Sequence, residues 1–475
     1  MDYKVSIQFL GAAGTVTGSK HLLKTPEKNI LIDCGLFQGI KALRRRNWDA
    51  LPFPADKIDL IIITHAHLDH TGYLPLIVKA GYKGKILMTH PTKDLTEVIL
   101  RDSAKIQEED AEKANKHGYT KHKPALPLYT LAEAEKCFSQ FVSYNDDEWV
   151  KVSDDICFRF IKNGHILGSA FVEIQCFGKR IIFSGDIGRQ QSEILDAPSV
   201  IKETDFLIME STYGDRLHPA VPSSLQLADI INSTIRKKGN IIIPSFAVGR
   251  AQELMHIITR LKKEKSIPDI PVYMDSPMGA DVLAIMDKYP QWHKLPEREY
   301  VAMCKDITTI RDYHETEKVI QKKGSKLIIA ASGMLTGGRV LEYIKNYIGQ
   351  KKNTVLLVGY QAEGTRGRAL KEGTHEIKIH GKYYQVSARV AVIGSLSGHA
   401  DQGEMIGWLG NFEKKPAKIF LVHGEPMSQE AFRVKIEHEF NIPVEIPSQE
   451  QELDMFSLED VKKPSSSVET STTKQ

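Results

Sequence analysis

The 475-residue chain has no run of 18 or more apolar residues, so no segment reads as a membrane span. Its opening, MDYKVSIQFLG, lacks the basic start and apolar stretch of a secretory signal and already reads as a strand. Cysteine is scarce. Cys34, Cys137, Cys157, Cys176 and Cys304 are scattered without a C-x-x-C pair, which argues against a thiolate metal site and for a reducing, cytoplasmic setting. No internal repeat is present, and none of the apolar runs of the second half leads into G-x-G-x-x-G, the dinucleotide-binding fingerprint.

What is present is unevenly distributed. The net charge is only +3, but residues 231–395 hold 27 Lys and Arg against 16 Asp and Glu, a surplus of +11 set in a remainder of −8. A basic middle in an acidic frame suggests a separate unit facing an anionic partner. The length calls for two domains or three. Up to residue 212 the chain shows many short apolar runs that end in Gly, Asp, His or Glu, with a charged helical pattern over 92–116 and another over 131–140. From about 223 it alternates strand and helix: NIIIPSF before GRAQELMHIITRLKK, PVYMDSP before MGADVLAIMDKY, SKLIIAASGM before GGRVLEYIKNYI. That rhythm predicts a doubly wound parallel sheet. The first style then returns in AKIFLVHGEP, so the α/β unit reads as an insertion. Residues 451–475 turn polar and read as a disordered tail, although the apolar segment DMFSLED near 454 reads as one that docks on a partner subunit or closes the domain.

The densest chemistry is IIITHAHLDHTG, residues 61–72. A buried strand runs straight into three imidazoles and a carboxylate. Such groups tolerate burial when something satisfies them, and imidazole with carboxylate is a natural ligand set for Zn²⁺. His65 and His67 alternate in an extended segment and can point to one side. Asp69 and His70 lie where the chain turns toward a helix and can reach a second position, so one loop can serve two ions. Further ligands are needed, and His165, Asp186, His423 and Asp33 each close an apolar run. Taken singly, each of these four reads equally well as a turn or cap residue.

In order, THAHLDHTG, GHILGSA, SGDIG, MESTYGDR, SGHAD and VHGEP make the sequence resemble the metallo-β-lactamase superfamily over residues 3 to 450, specifically its β-CASP ribonucleases, the group that contains the pre-mRNA 3′-end processing endonuclease and its prokaryotic relatives. The resemblance implies an αββα sandwich from residues 1–212 and 396–450, with an inserted parallel-sheet β-CASP domain at 213–395. It implies two Zn²⁺ ions, one held by His65, His67 and His165, the other by Asp69, His70 and His423, with Asp186 bridging both and Asp33 orienting the histidine loop. It gives Glu210, His399 and His423 as the residues of motifs A, B and C, and His423 at motif C goes with RNA rather than DNA. On this reading Asp69 and Asp186 hold the metal that activates water, while Glu210 orients His399 as the general acid.

For substrate, the Gly-rich segments after strands in the basic insert nominate Ser245, Arg250, Ser332, Thr336, Arg339, Arg366 and Arg368 as contacts to phosphates. Phe246, Tyr360 and Tyr213 are candidate stacking faces or core residues. The expectation is a zinc-dependent ribonuclease acting on single-stranded RNA, compact and endonucleolytic, with 5′-exonuclease activity and a homodimer left open. The alternatives are a thioesterase- or lactonase-type hydrolase of the same superfamily and a non-catalytic RNA-binding scaffold.

Overall fold

The computed structural model describes residues 4–118 and 122–458. Two seven-stranded sheets pack face to face. The first runs, in spatial order, Glu452–Ser457, Lys4–Phe9, His21–Lys24, Asn29–Ile32, Leu60–Ile62, Lys85–Thr89 and Phe141–Tyr144. The second runs Val444–Glu445, Lys418–Val422, Phe206–Glu210, Lys179–Phe183, Ala170–Cys176, Ile156–Lys162 and Val150–Lys151. Alternation along the strands sorts their faces. Ile30, Ile32, Phe158, Phe160, Val172 and Ile174 meet between the sheets, whereas Leu31 and Ile61 point outward onto helices Leu74–Lys79 and His90–His117. On the outer face of the second sheet, Leu207, Ile419 and Leu421 pack on Met405, Trp408 and Phe432 of helices Gln402–Gly410 and Pro426–Phe440. The result is the helix–sheet–sheet–helix sandwich that the resemblance implies.

A six-stranded sheet, parallel throughout, forms between the second sheet's strands Phe206–Glu210 and Lys418–Val422. Those two flanking strands are direct parallel neighbours, with Glu210 paired to Val422, so the chain leaves the sandwich at one strand end and returns beside it. Ile241 and Ile243 face helices Arg250–Lys263 and Ser223–Arg236, while Ile242 faces Val340–Tyr347, as expected of a sheet covered on both sides.

One expectation is corrected. Residues 452–457, taken as the start of a disordered tail, form an edge strand antiparallel to Lys4–Phe9. The segment alternates, with Met455 buried against the core and Lys4–Asp454 and Lys24–Glu452 ion pairs on the other side. Residues 459–475 lie outside the described residues. Among the described residues no helix is long and apolar enough to cross a membrane, and the cysteines are free thiols.

Candidate metal centre

The strand Leu60–Ile62 delivers the histidine loop to the edge where the strand ends of both sheets meet. Asp33, at the end of the neighbouring strand, fixes that loop. Its carboxylate accepts hydrogen bonds from the Thr64 N–H at 2.8 Å, the Thr64 hydroxyl at 2.9 Å and the His70 Nδ1–H at 2.7 Å. Gly35 lets the two segments touch. A β-carbon there would stand 1.6 Å from the Asp69 carbonyl oxygen. Buried Lys20 ties the same turn from below, donating to the carbonyls of Gly18 and Gly35, with its ammonium over the Phe37 and Tyr73 rings. Burial lowers the pKa of this ammonium to about 8.

The seven residues expected as ligands converge. His67 Nδ1 lies 3.1 Å from His65 Nε2 and 3.2 Å from His165 Nε2. Asp186 stands in the middle. Its Oδ2 is 3.4 Å from both His65 Nε2 and His165 Nε2, and its Oδ1 is 3.3 Å from His70 Nε2 and 3.5 Å from His423 Nδ1. His423 Nε2 is 3.5 Å from Asp69 Oδ2. One carboxylate thus divides its two oxygens between two groups of imidazoles. Asp33 and His423 both have positive φ, 60° and 48°. Asp and His adopt that region more readily than most side chains, and His423 is held there by donating its N–H to Ala12.

This donor set fits a metal. Ring nitrogens of His65, His67 and His165 aim at one another, and His70 Nε2 and Asp186 Oδ1 are buried without a hydrogen-bond partner, an arrangement that is unfavourable unless a cation accepts the lone pairs. The outer nitrogens are engaged: His65 Nδ1 with Thr64, His70 Nδ1 with Asp33, and His165 Nδ1 with the Gly398 carbonyl, as ligand histidines require. Burial and the neighbouring imidazoles hold His65 and His165 below the ordinary imidazole pKa, and burial takes His67 to about 3, so all three stay neutral. Burial opposes ionisation of Asp186 and Asp69, yet the facing imidazoles outweigh it and keep both carboxylates charged.

Beside this cluster, His399 Nδ1 sits 3.0 Å from Glu210 Oε2 and 4.0 Å from Asp186. The other Glu210 oxygen accepts the Ile187 N–H, so the carboxylate cannot rotate away. Burial alone would keep His399 neutral. The Glu210 and Asp186 charges reverse this and raise its pKa to about 9. The following helix, Gln402–Gly410, is capped by Asp401 with Glu404 and not by His399.

A cavity over the cluster is lined by His67, Asp69, His165, Asp186, His399 and His423 from the sandwich and by Phe246, Val248 and Arg250 from the inserted unit. Of the nominated substrate residues, Arg250 lines it, paired with Glu253. The others lie elsewhere. Ser245 donates to the Phe246 carbonyl, and Ser332 accepts the N–H groups of Thr336 and Gly337 in its own turn. Arg339 binds buried Asp275 at 2.7 Å, Arg366 binds the carbonyls of Leu335 and Lys378, and Arg368 binds Glu372. Phe246 stands 6.2 Å from the His67 ring, and Tyr360 hydrogen-bonds Glu425. The sequence reading missed Thr212, whose hydroxyl reaches His423 Nδ1 at 3.0 Å, and Arg189, which lines the cavity while bound to Glu404. Both follow closely on named site residues, Thr212 after Glu210 and Arg189 after Asp186, a signal that was readable.

Known families match in three consecutive stretches: the metallo-beta-lactamase superfamily at 15–229, the Beta-Casp domain at 251–370, and the Zn-dependent metallo-hydrolase RNA specificity domain at 383–447. Ribonuclease TTHA0252 of Thermus thermophilus is 32% identical over 422 residues, 87% of this chain and 92% of its own. Transcription termination factor FttA of Methanocaldococcus jannaschii is 32% identical over 444 residues, 89% of this chain and 67% of its own. A crystal structure of a protein of unknown function from Enterococcus faecalis V583 shares the fold, with a TM-score of 0.54 at 13% identity over 95% of this chain and 100% of that one. This chain belongs to the metallo-β-lactamase superfamily, in its β-CASP branch.

Proposed function

We propose that the protein is a zinc-dependent ribonuclease that cuts single-stranded RNA internally. In this reading His65, His67 and His165 hold one ion, Asp69, His70 and His423 a second, and Asp186 serves both. When bound, the metal supplies a water acidic enough to ionise near neutral pH and positive charge for the phosphate oxygens. The protein's own groups do the rest. Asp33 and Thr212 keep His70 and His423 in the orientation that ligation requires. Glu210 accepts a hydrogen bond from the His399 Nδ1–H and its charge favours the cationic ring, so His399 Nε2 is the atom that donates a proton to the departing ribose oxygen. Arg250, beside the cluster, offers positive charge to an adjoining phosphate.

The observation that carries this reading is the Glu210–His399 pair beside Asp186, an oriented acid standing next to a ligand set without itself being needed as a ligand. Family membership and the basic surplus of residues 231–395 support RNA as the substrate. We take the inserted domain to run from about 213 to 395.

The test is RNA labelled at its 5′ or 3′ end, carrying a 5′ monophosphate or triphosphate, incubated with zinc-loaded protein and with Asp186→Ala. The reading expects internal fragments from both labels, indifferent to the 5′ end and lost in the variant. Stepwise release of mononucleotides from the 5′ end would overturn the endonuclease assignment, and intact RNA would overturn the ribonuclease one.

A further inference from the structure

The wall beside the metal cluster is unlike what a purely phosphate-binding cleft requires. Ile99, Ile166, Ile194, Leu195, Val248 and Met278 share one cavity with the clustered histidines. Ile99, Ile166, Ile194 and Leu195 come from the sandwich portion of the chain, Val248 and Met278 from the inserted unit, so the wall exists only where the two meet. The first five belong to one packed apolar cluster, and Met278 packs against it. Ile166 directly follows His165, and it comes within 3.0 Å of where a Gly249 β-carbon would stand, so Gly249 lets the two parts close around the wall. Ser192, Arg250 and Glu253 give the same cavity a small set of polar groups.

We infer that this apolar wall is a nucleobase subsite: it takes one unstacked base of the strand whose phosphate lies at the metal cluster. The inference rests on the ribonuclease reading above. An RNA strand offers two chemistries. Its backbone is anionic and strongly hydrated, and gains nothing from isoleucine. Its bases have flat apolar faces with polar edges, and only these match aliphatic walls bearing a few hydrogen-bonding groups. Because the wall adjoins His165, the base held there belongs to a nucleotide next to the scissile bond. The subsite therefore favours positions where the strand is unpaired, since a base in a duplex is not free to enter.

The test is an abasic scan. A short single-stranded RNA with one defined cut site is prepared with the base removed at each position in turn, and KM and kcat are measured with zinc-loaded wild type and with Met278→Trp, which fills the wall from its more exposed side. In parallel, hydrolysis of bis(p-nitrophenyl) phosphate, which carries no base, reports on the metal chemistry alone. The inference expects removal of one base adjoining the cut to raise KM roughly tenfold or more in wild type, and expects Met278→Trp to raise KM for intact RNA and to erase the difference between intact and abasic substrate. Equal KM at every abasic position, with RNA still cut, would overturn the subsite while leaving the ribonuclease reading standing. Hydrolysis of the small diester without cleavage of any RNA would overturn both. The scan with wild type alone is decisive if the variant does not fold.

Discussion

Glu210 and His399, 189 residues apart in sequence, meet at 3.0 Å beside Asp186, with the carboxylate pinned by the Ile187 N–H. The pairing depends on the strand Phe206–Glu210 lying in the second sheet beside Lys418–Val422, so that the loop preceding helix Gln402–Gly410 returns over its end. It separates two tasks: His65, His67 and His165 stay neutral, while His399 stays cationic.

Replacing His399 with Ala leaves the proposed metal ligands in place and removes the proposed proton donor. Zinc content measured by elemental mass spectrometry is expected to stay at the wild-type level while RNA cleavage falls about 10²- to 10⁴-fold. Near wild-type cleavage with full metal content would remove His399 from the role of acid.

Asp33 touches no proposed metal position, yet it bonds both the loop backbone and His70. Asp33→Ala is expected to weaken zinc affinity by about 10- to 100-fold, read by competition with a fluorescent chelator. Unchanged affinity would show that His70 is oriented without it.

Gly35→Ala places a methyl group against the Asp69 carbonyl, and both partners are backbone, so neither side yields easily. Loss of stability on the order of 3 kcal/mol is expected from denaturant midpoints, together with reduced zinc content. A variant with full metal occupancy would contradict the close approach that seats Asp69.

Lys20 carries a pH signature. Its folded pKa is about 8 against an ordinary 10.5, so between those values the unfolded chain binds more protons. Its contribution to stability therefore rises as pH increases from about 8 to 10.5 and is lost as pH falls through 8. Comparison of wild type with Lys20→Met across this window is expected to show the stability difference shifting in favour of wild type by on the order of 3 kcal/mol. A pH-independent difference would mean that the ammonium is not buried as described.

The legible parts of this molecule were those written in short, local patterns. His65-x-His67-x-Asp69-His70 needs only one loop to converge, and the change in rhythm to alternating strand and helix signalled an inserted α/β unit. His165, Asp186 and His423 were readable through their motifs, because each sits at a strand end, and strand order brings those ends together. Other features depend on partners that spacing does not reveal. Arg339 looked available for phosphate, but Asp275, 64 residues away, claims it. Residues 452–457 carry apolar side chains in a polar stretch, and what they pack on is settled only by Lys4–Phe9, the strand they pair with. The apolar wall draws side chains from stretches more than 150 residues apart, each of which reads as ordinary core.

The central claim is that the clustered imidazoles and carboxylates hold two ions that together cleave RNA. The most direct measurement strips the protein with a chelator, restores zinc in small steps, and follows bound metal and cleavage of labelled RNA in the same samples. The account predicts no cleavage without metal, tight uptake that ends at two equivalents, and activity that reaches its plateau only as the second is bound. Uptake that stops short of two equivalents, or cleavage that survives complete removal of metal, would contradict it.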